Sequence, residues 1–162
     1  MTTFESFTYW LEELPLSILI GETWLFPLLE SLHVIGAVFV FGAILMADLR
    51  LIGLAGKSYA ANVFVKQLLP WSIAGFVLAF ITGLGMFITR AGGYLNNPAF
   101  LWKMALLALA LGNIIYFHRW LKSRVENAVG SNLATPVRLS GLCSLVLWTG
   151  VMLAGRWVGH IF

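Results

Sequence analysis

The sequence predicts an all-α integral membrane protein: a four-helix up-down bundle preceded by a short N-terminal amphipathic helix at the membrane surface. Three observations carry this. Of 162 residues, 60% are hydrophobic and 10% charged, with a mean hydropathy of +0.89, far from soluble globular values. Four apolar runs, at residues 24–47, 68–89, 99–118 and 139–160, each reach the roughly 20 residues that cross a hydrocarbon core. The connections between them are too short for a separate soluble domain. Consecutive spans are therefore expected to be antiparallel neighbours in one transmembrane domain over residues 1–162.

The N-terminal segment comes first. FESFTYWLEEL (residues 4–14) sets Phe4, Phe7, Trp10, Leu11 and Leu14 at helical spacing, the pattern of an interfacial helix that Pro15 ends. Nothing basic precedes its apolar positions, and Glu5, Glu12, Glu13 and Glu22 make it acidic. It therefore reads as a retained segment and not a cleaved signal peptide. After the first span come Arg50, Lys57 and Lys66, and around the third connection come Arg119, Lys122, Arg124 and Arg138. Basic residues favour the cytoplasmic side. The orientation expected is that of a bacterial inner-membrane protein with both termini, and the 91–98 loop, on the periplasmic face. AGGYLNNP (91–98) and VGSNLATP (129–136) carry turn chemistry and read as loops. Recurrent small residues along the spans suit close packing in lipid. The single cysteine, Cys143, excludes an intrachain disulfide and reads as a small core residue. The net charge of +3 forms no contiguous basic stripe, so a nucleic-acid partner is not expected.

Ionisable groups inside a bilayer are costly and are usually paired or functional. WLFPLLESLHVIG (24–36) places Glu30 and His33 one helical turn apart in an apolar run. Counted inward from Trp24 and back from Phe162, Glu30 and Arg156 fall at one depth, and an ion pair between them is expected. Lys103, early in the third span, can reach either up to the interface or down toward His33. Asp48 reads as a partner for Arg50 or an end cap. His118 lies about 15 Å deeper than His33 and cannot share a metal with it.

Around His33 the chain therefore gathers Glu30, Arg156, Lys103, Arg90 and His160. A neutral imidazole facing a bundle interior can ligate haem iron. In that reading Arg156, Arg90 and Lys103 suit the propionates, and Gly36, one turn after His33, suits a porphyrin lying against the helix. His33 is then the metal ligand, with Lys103, His160 or an open position opposite, and Glu30 is a proton-relay residue beside it. Two other readings stay open on spacing alone: His33 bonds Glu30 or a backbone carbonyl and fixes packing, or it belongs to a proton or ion path. A di-haem bundle of the bis-histidine kind needs four ligand histidines, and this chain has three.

LESLHVIGAVFVFGAILMADLRLIGL (29–54) resembles the first span of a group of uncharacterised bacterial four-helix membrane proteins. It is more distantly similar to HemJ-type protoporphyrinogen oxidases, with Leu32 and His33, then Gly42 and Ala43, then Arg50 in that family's order. WKMALLALALGNIIYFHRW (102–120) is similar to the family's third span through Lys103, Tyr116 and His118. Asp48 and Leu49 stand where that family has a proline before the arginine, and the lysine-to-histidine gap is longer. The resemblance implies haem b, with His33 and Lys103 as the functional pair. The expectation is a b-type haem protein in electron transfer or in oxidation of a membrane-soluble reductant, a quinone or a porphyrin-like substrate. The alternatives are a non-catalytic subunit of a larger membrane complex or homo-oligomer, or a small proton-coupled transporter. Beyond these, membrane lipid is the partner expected.

Overall fold

A computed structural model describes residues 3–56, 58, 60–125 and 133–161. Lys57 and residues 129–132 of the second turn-rich stretch lie outside the described residues. Among the described residues every regular element is helical: α1 (Thr3–Glu12), α2 (Pro15–Glu22), α3 (Leu25–Ile52), α4 (Ala61–Thr89), α5 (Ala91–Asn96), α6 (Pro98–Tyr116) and α7 (Thr135–Val158). A π-helical turn, Phe117–Leu121, and a 3-10 turn, Lys122–Arg124, follow α6. Among the described residues, four helices are long and apolar enough to cross a membrane: α3, α4, α6 with its two following turns, and α7.

The helices outrun the apolar runs that announce them, because backbone hydrogen bonding continues past the hydrocarbon edge. α3 extends to Ile52 and encloses Asp48 and Arg50, both buried, instead of leaving Arg50 in a connection. It stops at Gly53, whose φ of 90° places it in the left-handed region, while Leu54 N–H closes back on Leu49 O at 2.9 Å. α4 begins at Ala61, so Lys66 lies within the helix, which also carries Pro70. Residues 91–96 form a helix where turn chemistry predicted a loop. The N-terminal segment is two helices. Pro15 opens α2 at its first turn, where a missing N–H costs nothing. Both short helices are fastened to the bundle: Ser17 Oγ donates to Ile88 O at 2.9 Å, and Gly92 N–H donates to Glu12 Oε1 at 2.8 Å.

Packing does not follow chain order throughout. α3 packs along α4, α6 along α7, and α3 against α7, whereas α4 and α6 barely meet. Small residues set this arrangement. A Cβ built at Gly36 would lie 2.8 Å from Ala79 N and from Gly75 O, and one at Gly75 would lie 2.8 Å from Gly36 O. The α3 and α4 backbones therefore touch, the closeness that packing in lipid rewards. Gly141 meets Leu51 on α3, and Gly150 meets Leu106 on α6. No such pair joins α4 to α6. Their contact is an aromatic cluster at the terminal end, with Phe87 and Phe100 ring centroids 5.9 Å apart and Tyr94 of α5 5.4 Å from Phe100. Val40, Ala110, Trp148 and Val151 form the mid-bundle core. Cys143 is not in it: the residue is exposed on the outer side of α7.

Asn97 ties the terminal ends of α6 and α7. Its Oδ1 accepts from Ala99 N at 2.9 Å and Phe100 N at 3.3 Å, and its Nδ2 donates to Val158 O at 3.0 Å. One buried side chain thus satisfies orphan groups of two helices. Asn97→Ala is expected to cost about 2 kcal/mol, read as a lowered unfolding midpoint in detergent.

Candidate functional site

His33 lies on α3 one turn before the Gly36–Gly75 contact, so α4 stands unusually close to its ring. Gly83, one turn after Ala79 on α4, makes the remaining room: a Cβ there would sit 3.1 Å from His33 Cε1 and 3.3 Å from Nδ1. The imidazole fills that space, half-buried, with Nδ1 2.8 Å from Ala79 O. A carbonyl only accepts, so the proton is assigned to Nδ1 and the lone pair to Nε2. Thr82 supports the same arrangement. Its hydroxyl donates to Leu78 O at 2.7 Å and lies 3.3 Å from His33 Nδ1.

The Nε2 lone pair meets Lys103. Lys103 Nζ approaches from α6 to 3.4 Å of Nε2 as the donor. Of the two routes open to this side chain, it takes the one down to His33. Its stem passes over α7 at Gly155, where a Cβ would lie 3.6–3.8 Å from Lys103 Cε, Cδ and Nζ. Three helices besides α3 thus shape the site: α4 fixes the ring, α6 sends the ammonium, and α7 leaves the passage. The half-buried Lys103 side chain thus meets the ring at the nitrogen that Ala79 O leaves free.

The other predicted residues are placed differently. Glu30 and Arg156 are both exposed, and the expected ion pair between them does not form among the described residues. They sit near the ends of their helices, where a long side chain reaches polar surroundings alone. Arg90 is exposed at the start of α5. Burial raises the Tyr94 phenol above its ordinary value, Arg90 draws it back down and Glu30 pushes it up, so both charges act on one α5 side chain. His160 is exposed past the end of α7, 6.4 Å from Trp157 between ring centroids, and is not among the groups around His33. Gly36 faces the α4 backbone, not open space. Asp48 faces a cleft it shares with Ser144; residues two apart on a helix, such as Asp48 and Arg50, point to different sides. His118 bonds Ile114 O within its own segment at 3.0 Å.

Thr82 and the Ala79 carbonyl escaped the sequence reading, and Gly83 and Gly155 stood out there only as small residues suited to close approach. The available signal was the polar Thr82 in ITGLG (81–85), small and polar residues inside an apolar run. Among the described residues, no three His, Cys, Asp or Glu side chains assemble a bare-ion site. A single imidazole suffices where the metal arrives with its other ligands. Residues 16–161 match a family of unknown function (DUF6644). No curated protein and no solved structure matches the chain.

Proposed function

We propose that this chain, which belongs to the DUF6644 family, is a b-type haem protein of the bacterial inner membrane, with both termini periplasmic. It works in electron transfer or in oxidation of a membrane-soluble or porphyrin-like reductant. One observation carries the reading: His33 donates Nδ1–H to Ala79 O at 2.8 Å and turns the Nε2 lone pair inward. That is the arrangement of metal-ligating histidines, whose second nitrogen is held by a carbonyl that fixes the tautomer and raises ligand basicity. The HemJ-like features of the first and third spans pair this histidine with Lys103, and the two stand 3.4 Å apart.

The donor chemistry fits haem, with one adjustment. At 3.4 Å there is no room for a ring between Nε2 and Nζ, so Lys103 would have to swing its ammonium away from His33 for haem to bind, a movement its long flexible side chain allows. A bound haem would supply a one-electron carrier within the membrane. His33 would hold it through Nε2, and Lys103 would remain the nearest proton donor. Arg90 and Arg156, exposed at the terminal end, suit the propionates, and Glu30 on the same end suits proton exchange with water. The test is the absorption spectrum of protein purified from cells supplied with haem. A Soret band with reduced-state α and β bands is expected; its absence from folded wild type overturns the proposal.

A further inference from the structure

Where α4 and α6 part below their aromatic cluster, the four spans leave a cleft of about 100 Å³. Its walls are mostly apolar, interrupted by Asp48, Ser72, Asn113, His118, Ser140 and Ser144. Asn113 and Ser140 satisfy one another: Asn113 Nδ2 donates to Ser140 O at 3.0 Å, and Ser140 Oγ donates to Asn113 Oδ1 at 3.1 Å. Asp48 is left incomplete. It is 4% exposed and shares the cleft wall with Ser144 of α7. Its Oδ2 is buried with no hydrogen-bond partner among the described residues. Keeping such an acceptor unpaired is costly, and the cleft that Asp48 lines has room for a donor.

Three features select that donor. The volume holds a single six-membered ring and excludes a macrocycle. The cleft lies between two helices that barely pack, so an alkyl tail can leave directly into lipid. The acceptors lie at two depths: Asp48 at the buried back, and exposed His118, whose Nδ1 is bonded to Ile114 O and whose Nε2 is left to accept. A ring with hydroxyl donors at both ends can address both residues, which line the same cleft. We infer that this cleft binds the head group of a membrane-soluble hydroquinone, one hydroxyl donating to Asp48 Oδ2 and the other directed to His118. This gives the reductant class left open above. Its test reads binding alone, without haem, so either proposal can fail while the other stands.

The experiment follows the thermal midpoint of the full chain in lipid nanodiscs against decyl-hydroquinone kept reduced, decyl-quinone and decylbenzene. A saturable rise with decyl-hydroquinone is expected, since a ligand that binds only the folded state stabilises it by mass action. Decylbenzene, with the same tail and no hydroxyl, should give none. Asp48→Asn can turn an acceptor into a donor, so it should weaken hydroquinone binding about tenfold and shift preference toward the quinone. Ser72→Leu fills the cleft from α4 with an apolar side chain that a membrane helix accommodates, and should abolish binding of both. The inference is overturned by no saturable shift in wild type, by an equal response to decylbenzene, or by unchanged binding in folded Ser72→Leu protein.

Discussion

His33→Ala is expected to remove the haem spectrum, leaving less than a tenth of wild-type haem per chain, while the helical content is unchanged. The imidazole would supply the protein's iron ligand in the proposal, and the other histidines would not take its place, since His160 and His118 are placed elsewhere. The structural cost of the change is small. The ring is half-buried, and its bond to Ala79 O is an addition to that carbonyl's helical bonding, so about 1 kcal/mol of stability is at stake. His118→Ala and His160→Ala should both keep their haem. The ratio of Soret to protein absorbance, with circular dichroism of the same samples, decides this. Full haem retention in His33→Ala would show that another residue holds the iron.

Gly75→Val is expected to be the most damaging single substitution in the bundle. A Cβ at this position lies 2.8 Å from Gly36 O, 2.8 Å from Phe39 Cβ and 2.9 Å from Val40 N. None of these atoms is the tip of a flexible side chain, so α3 and α4 must separate. Overpacking costs about 1–3 kcal/mol where side chains alone shift, and here the backbones move, so the upper end or beyond is expected. Separation also draws Ala79 O away from His33 Nδ1 and frees the ring to turn. The same variant should therefore lose both thermal stability in detergent and haem. A wild-type midpoint in Gly75→Val would mean that the close α3–α4 approach does not support the fold.

The number and approximate position of the spans were legible in the chain, because crossing hydrocarbon demands long apolar runs that composition cannot hide. Their partners were legible in part: α3 does pack on α4 and α6 on α7, as chain order predicts, but one expected pair is missing. Chain order predicted α4 beside α6, yet Gly36, Gly75 and Ala79 put α3 against α4, and no equivalent seam joins α4 to α6. Small residues announce that some close contact exists, not which helix makes it. The site divided likewise. His33 and Lys103 stood out as polar groups in apolar runs, and the fold brings them together. What holds the ring is a backbone carbonyl and a glycine gap, features without a side-chain signature. Equal depth likewise did not make Glu30 and Arg156 a pair, since depth says nothing about the direction in which a side chain leaves its helix. Asp48 looked like an end cap because the apolar run fades there; only the continuation of α3 to Ile52 reveals it as buried.

The central claim is that His33 Nε2 binds iron. The most direct test is electron-nuclear double resonance on the ferric protein, labelled with nitrogen-15 histidine, in a His118→Gln, His160→Gln background where His33 is the one remaining histidine. A nitrogen-15 coupling of the strength of a directly bonded axial imidazole is predicted. Ferric haem bound with no such coupling would contradict the account.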